Sequence, residues 1–463
     1  MKFQLTRSTC LFLLALVTAC ASGKSAQRGT AADPAASDRG LANRSPASAR
    51  ATRSDLPAAT ASAAPVAVAA EWAVTSIKGK FLSTDTTSAR VYLDLTIQRP
   101  EPQPGQLPVG VSDFTEHFIV NYVLYPDYTN RERLGYGNVA LSAQNVFRGY
   151  TDDSGDHLVL FFDVKRPASL ANALLLTEIT ETSSGKKSLN DLPIRFAAPR
   201  LLDRFALFDA AGQLPKLRNF VTVNDTIVIR DVAGTSKPLH VVRYRHEFDP
   251  ASSPMNLTAR PAPKALAVDS TLTVMTNQPF RLPAEGLYFF QDDTTQTNGM
   301  SLLVGDDRYP RLTRAEKLVK PVLYMSTSQE TNELTGAPDL KKALDRYWLS
   351  LMAGNEDVAR RAIKTYYKHV EDANRLFTTY KEGWKTDKGM IYIIMGAPDR
   401  VQRSRDREVW VYTRRATTAE LNFTFNKRPN QFVEDHYELV RYAEFQPVWY
   451  PIVESWRNGA IHE

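Results

Sequence analysis

The hydrophobic pattern of this chain changes period once, and that change limits the fold more than any other feature. Between residue 71 and about residue 325, apolar residues alternate or cluster in short runs closed by Pro, Gly and Asp, as half-buried strands require. Val91–Ile97, Phe118–Tyr125, His157–Val164 and Ala173–Ile179 form a first set. Asn219–Val223, Thr226–Arg230, Leu239–Arg245, Leu272–Met275 and Gly286–Phe290 form a second, with no helix-length periodicity between them. At Leu340 the spacing switches: Leu340, Leu344, Tyr347 and Leu351 recur at helical intervals, and Asp339 is placed to cap that helix. Gly354-Asn355 breaks it, and a second helix is expected from Glu356 to about Tyr380, with Ile363, Tyr367, Val370, Asn374 and Phe377 on one face. Four strands are then expected: Met390–Met395, Glu408–Tyr412, Leu421–Phe425 and His436–Tyr442. The predicted architecture is two β-sandwich-like domains (71–198 and 199–325) followed by a C-terminal α+β domain (326–463).

The first seventy residues are different. Lys2 and Arg7 precede an apolar run, Cys10-Leu-Phe-Leu-Leu-Ala-Leu-Val17, that has the length of a signal-peptide core and is too short to span a bilayer. It ends in Val17-Thr18-Ala19-Cys20, which resembles a bacterial lipobox; residues 1–19 are then removed and Cys20 is acylated. Cys10 leaves with the signal, so the mature chain keeps no free thiol for a disulfide, a zinc site or a nucleophile. Residues 20–70 contain no aromatic residue and six Lys/Arg against three Asp. Such a segment cannot bury enough apolar area to offset its ordering entropy and reads as a disordered tether. No acidic residue directly follows Cys20. By resemblance to Gram-negative lipoproteins, this implies the outer membrane, with the protein facing the periplasm.

At about 150 residues per domain, 463 residues make two or three domains. A net charge of +6 without a basic, aromatic-interleaved segment argues against nucleic acid. No Gly-x-Ser-x-Gly, Walker or dinucleotide fingerprint occurs, and Lys385-Thr386-Asp387 lacks the glycine of a penicillin-binding Lys-Thr-Gly. The seven histidines are scattered, and His240 and His246 are expected on an exposed sheet face. Asp292-Asp293 and Asp306-Asp307 lack the alternating spacing of a calcium loop. Neither metal nor cofactor is expected.

Gly383-Trp384-Lys385-Thr386-Asp387, followed by Lys-Gly-Met-Ile-Tyr-Ile-Ile-Met-Gly396-Ala-Pro398-Asp399, resembles the GWxTD domain family, found at the C-terminus of bacterial envelope proteins. Asp345-Arg-Tyr-Trp348, Tyr366-Tyr367, Ala373-Asn374 and the strand around Trp410 strengthen the resemblance, which covers about 325–463. It implies an envelope lipoprotein and no catalytic assignment. Physically, the pentapeptide reads as a corner between a helix and a strand. Trp384 is its packing anchor, Thr386 and Asp387 bond neighbouring amides, and Gly389 frees the strand entry. Alternatively, Trp384, Asp387, Asp399 and Arg400 line a groove that receives peptide or glycan. Tail aromatics (Tyr437, Tyr442, Phe445, Trp449, Tyr450, Trp456) suit either a core or an interface, and Pro447–Pro451 is expected to wrap the surface and present Trp449.

The preferred reading is a lipid-anchored envelope protein with a non-catalytic docking or scaffold role towards a protein partner. Gly383, Trp384, Thr386, Asp387, Gly396, Pro398, Asp399, Trp410 and Trp449 are its candidate interaction residues. The alternatives are an envelope hydrolase using Asp387, Asp399 and Glu408, or a periplasmic ligand-binding lipoprotein.

Overall fold

A computed structural model describes residues 71–100, 107–152, 155–168, 170–258, 265–413 and 420–461. The signal peptide, Cys20 and the tether lie outside the described residues. No described helix is long and apolar enough to cross a membrane.

The first block contains β1 (Ala73–Ser83), β2 (Ser88–Gln98), α1 (Val111–His117), β3 (Phe118–Tyr125), β4 (Gly135–Asn138), β5 (Val146–Asp152), β6 (Gly155–Lys165), β7 (Asn172–Glu181) and β8 (Lys187–Arg195). They form two four-stranded antiparallel sheets, ordered β1-β2-β6-β5 and β4-β3-β7-β8. Val91, Leu93 and Leu95 of β2 share one core with Val120 of β3, Leu160 of β6 and Leu175 of β7. The other face of β2 is buried too, because Tyr92, with Leu82 and Val159, packs on Ala206, Phe208 and Val228 of the next block. That second cover explains why β2 reads as a nearly continuous buried run.

The second block contains α2 (Leu201–Arg204), β9 (Ala206–Phe208), β10 (Phe220–Thr222), β11 (Val228–Arg230), β12 (Pro238–Tyr244), β13 (Val268–Met275), β14 (Gly286–Gln291) and β15 (Met300–Gly305). Its main sheet runs β10-β15-β14-β12-β13 and is antiparallel except for the β10–β15 pair. β9 and β11 pair separately.

Helices dominate the C-terminal region: α3 (Ala315–Leu318), α4 (Ser328–Thr335), α5 (Leu340–Leu351), α6 (Glu356–Phe377) and α7 (Asp387–Met395). A meander of β16 (Arg400–Arg403), β17 (Arg407–Thr413), β18 (Glu420–Lys427) and β19 (Tyr437–Leu439) follows, and α8 (Gln446–Arg457) closes the chain. The α5 start is the one expected, with the Asp339 side chain accepting from the Lys342 amide. Trp348, Tyr366, Trp384, Trp410 and Trp456 all belong to one core.

Two local expectations of secondary structure are overturned. Met390–Met395 is helical, not a strand. Its β-branched, apolar run suggested a strand, but Met390, Ile391, Ile393 and Ile394 are all buried, and a helix apolar all round belongs in an interior. Pro447–Pro451 does not wrap the surface either: it forms the first turns of α8, where Pro447 costs no intrahelical bond, and Trp449 is buried. Phe445 and Trp456 are buried with it, whereas Tyr442 and Tyr450 are half exposed.

Candidate functional site

The pentapeptide lies where α6 ends and α7 begins, and backbone contact fixes its glycines. A Cβ on Gly383 would sit 2.0 Å from the Ala373 carbonyl oxygen and 2.7 Å from the Asn374 Cα, both in α6. A Cβ on Gly389 would sit 1.9 Å from the Gly383 carbonyl oxygen, so Gly389 permits a backbone crossing rather than a strand entry. Between them Trp384 is 2% exposed. Its amide donates to Asn374 Oδ1 at 3.0 Å, its indole N–H to Glu382 Oε2 at 3.2 Å, and its carbonyl accepts from Tyr324 Oη at 2.8 Å. Asn374, fully buried, donates onward to the Pro310 carbonyl at 2.9 Å.

Thr386 caps α7 as a neighbour-bonding residue should: its hydroxyl accepts from the Gly389 amide at 3.0 Å and donates to the Gly383 carbonyl at 2.7 Å. Asp387 does something else. Among the described residues it bonds no neighbouring amide; its carboxylate accepts from the Leu439 amide at 2.7 Å and pairs with Arg441, 52 and 54 residues further along. Arg441 also donates to the Ser252 and Ser253 carbonyls, each at 3.3 Å. The motif therefore ties α6, α7, β19 and the loop after β12 into one corner, and its polar atoms are spent in doing so.

The remaining predicted positions are spread apart. Gly396 ends α7 at φ +76°, and its carbonyl accepts from Tyr412 Oη at 2.9 Å. Pro398 is half-buried in the turn that follows. Asp399 is exposed and accepts from the Thr413 amide at 2.6 Å, at one end of β17. Glu408 lies near the other end, five residues and about 17 Å away along the strand. It accepts from Trp410 Nε1 at 2.6 Å, and Lys388 and Arg403 lie at 3.1 and 3.3 Å. Burial raises the Glu408 pKa, but Lys388, the Trp410 indole and Arg403 more than offset this and hold it below the usual carboxylate range. Asp387, Asp399 and Glu408 are each engaged with different partners, and among the described residues none of the three bonds another. Arg400, exposed, pairs with Glu420.

Two of the other polar groups singled out are also engaged. Asp292 pairs with Arg204 and Lys237 at 2.7 and 3.0 Å, and Asp306, 1% exposed, with Lys317 at 2.7 Å. His240 is exposed on β12, and His246, past the strand end, meets the Phe248 ring edge-on. Among the described residues no group of three His, Cys, Asp or Glu could hold a metal ion.

Sequence reasoning did not find the cleft beside the corner. It encloses about 800 Å³ between the continuation of β12 (Arg243 to Phe248), the Glu285-Gly286 turn, the end of β15, and Lys381 to Lys385. Lys385, almost buried, forms an ion pair with Glu382 at 2.7 Å and lies 5.4 Å from the Trp384 ring centre. Lys317 bridges Glu285 and Asp306 at 2.7 Å each, and Lys320 pairs with Glu247. Among the described residues, Lys381 Nζ donates to one group, the Asp249 carbonyl, at 3.0 Å. Burial drives its pKa down to about 8 despite attraction from Asp387. The signal was unreadable in sequence because these residues come from segments up to 140 positions apart, with no local cluster of charge.

β14 and β15 are joined to the helical region by direct bonds. Ser301 donates to the Phe432 carbonyl at 2.6 Å, Leu287 and Phe289 pack with Phe432, and Tyr309 bonds Thr378. The sequence resemblance began at about residue 325, after these strands. No curated protein matches the chain. The GWxTD domain family matches residues 286–458, so the part of this chain that carries the corner, most of the cleft lining apart from Arg243 to Phe248 and Ala284-Glu285, β14 and β15 is a GWxTD domain.

Proposed function

We propose that this protein is a lipid-anchored component of the bacterial cell envelope whose folded part docks a protein partner rather than transforming a substrate. The observation that carries the reading is the division of labour at the corner: the polar groups of the motif are consumed internally, while an open charged cleft of about 800 Å³ is held beside it. In this reading the Gly-Trp-Lys-Thr-Asp segment is the frame of a recognition surface and supplies no reacting group. The first block is a β-sandwich that spaces the docking domain from the bilayer. Cys20 is the acylated anchor, on the outer membrane and facing the periplasm, and residues 20–70 are the tether.

The test is site-specific photo-cross-linking of the full chain in native membranes. A cross-linking residue replaces Arg245 in the cleft or Ile119 on the first block, both exposed. A discrete cross-linked partner from position 245 supports docking through the GWxTD side. One from position 119 alone keeps docking and moves it to the sheets. No discrete partner from either position overturns the reading. Replacing Cys20 with Ser tests the anchor separately: the protein is expected to leave the membrane fraction, and retention there overturns lipidation at that site.

A further inference from the structure

Six Lys and Arg side chains line the cleft, and four of them have a carboxylate partner. Arg243 pairs with Asp269, Lys317 with Glu285 and Asp306, Lys320 with Glu247, and Lys385 with Glu382. The other two, Arg245 and Lys381, have no carboxylate within ion-pair distance among the described residues. Arg245 is exposed. Lys381 is half-buried with a backbone carbonyl as its partner. A half-buried ammonium without a counter-ion is costly, and a bound anion offsets that cost.

The wall that carries Arg245 has a second unfilled capacity. Tyr244 is the last residue of β12 and pairs on both sides, with Val268 and Leu287. Beyond it the sheet stops, and among the described residues 246–248 make no backbone hydrogen bond. Unpaired main-chain groups at a strand end are a template for an added strand, with side-chain pockets giving specificity. Phe248 and the Leu303–Val304 segment add apolar lining to the same cleft.

We propose that the cleft binds an acidic peptide segment of the docked partner. The segment lies along residues 245–248, with its carboxylates on Arg245 and Lys381. This rests on the docking reading and names its ligand. Alternate residues of an added strand point to one wall, so carboxylates at every second position reach these two cations while the residues between them meet the apolar lining. Arg245 supplies a bidentate fork and Lys381 a point charge. Binding restores a counter-ion to Lys381, which Asp387 and Asp249 attract and Lys385 and Arg441 repel. Affinity therefore falls as pH rises through about 8, where the free protein releases that proton.

The test uses the full chain in detergent micelles and two fluorescent probes: an alternating Glu-Val hexapeptide and its Gln-Val counterpart. The Glu peptide is expected to bind at least about tenfold tighter, more weakly as salt rises, and to lose about tenfold on Arg245→Glu or Lys381→Gln. Hydrogen exchange of the 246–248 amides is expected to slow when the Glu peptide is bound. Equal binding of the two peptides, or none, overturns the proposal, and so does full affinity in both variants. Unchanged exchange overturns the strand-addition geometry. Competition by inorganic phosphate at the peptide's own concentration shows a general anion site and overturns the peptide assignment. If the partner cross-linked in membranes is captured equally by the Lys381→Gln variant, docking stands and the cleft assignment falls.

Discussion

Two neighbouring regions, the corner inside the GWxTD domain and the cleft at its edge, use the same kinds of residue in opposite ways. In the corner, Gly383, Trp384, Thr386 and Asp387 are buried or capped, and every side-chain bond they make ends on another part of the same chain. In the adjoining cleft, among the described residues, Lys381 is left with a backbone carbonyl and Arg245, from a distant segment, with solvent. A satisfied buried network rigidifies a fold, whereas unsatisfied charge at a concave surface invites a ligand. The contrast teaches that a family's most recognisable residues can be its framework, with recognition carried by less memorable neighbours.

The strongest way to break this comparison is Gly383→Ala. The added Cβ meets backbone on α6, which no rotamer change can relieve, and the next turn repeats the constraint at Gly389. We expect a loss of about 4 kcal/mol or more in urea unfolding of the full chain, together with loss of the GWxTD-domain transition. Trp384→Ala should cost about 3–5 kcal/mol through the cavity it leaves. If either substitution is tolerated within about 1 kcal/mol, the corner is not the framework described above.

Next in size is the clamp. Asp387→Ala leaves the buried Leu439 amide without its acceptor and Arg441 without its partner, and about 2–3 kcal/mol is expected. Thr386→Ala removes only an N-cap bond, worth about 1 kcal/mol. Thermal melts of the two variants should keep that order. The reverse order would mean that the local turn, not the long-range tie to β19, closes the corner.

This long-range tie marks the limit of what could be read from the residues. The corner itself, its tryptophan anchor and the Thr386 bond to a neighbouring amide were legible because turn chemistry is local. The β-rich first two-thirds and the α5 and α6 helices were legible because period is local too. Met390–Met395 was misread because β-branched residues in a short apolar run fit a strand and a buried helix equally well; Thr386, four residues upstream, decides for the helix. The Asp387 partner and the cleft were illegible because both are assembled from segments far apart in the chain. Trp449 was misplaced for a related reason: two prolines suggested an irregular surface segment, yet Pro447 in the first turn displaces no hydrogen bond and α8 continues through Pro451.

Lys381 sharpens the comparison through pH. Its folded pKa, about 8, lies below the ordinary lysine value of 10.5, so between those limits the unfolded chain holds a proton that the folded chain has released. Stability then rises with pH across that window, and below pH 8 the full cost of the buried charge is present. Lys381→Met should be more stable than wild type at pH 7, and the gap should close from pH 8 upwards. Paired melts at pH 7, 8 and 9 check this. A gap independent of pH would mean that packing rather than charge distinguishes the two side chains.

The smallest expected effect on stability is the most discriminating. Arg245 is exposed and makes no ion pair among the described residues, so Arg245→Ala should leave unfolding free energy unchanged within about 0.5 kcal/mol. A residue that contributes nothing to the fold yet sits at the mouth of a charged cleft has its value, if any, in binding. Thr386→Ala is the matched control: it should cost stability while leaving acidic-peptide affinity intact under conditions where the domain stays folded. Opposite rankings of these two variants in a melt and in a binding titration are what the corner–cleft contrast requires. Parallel losses in both assays would show that fold and recognition are not separable here, and the cleft would revert to being part of the framework.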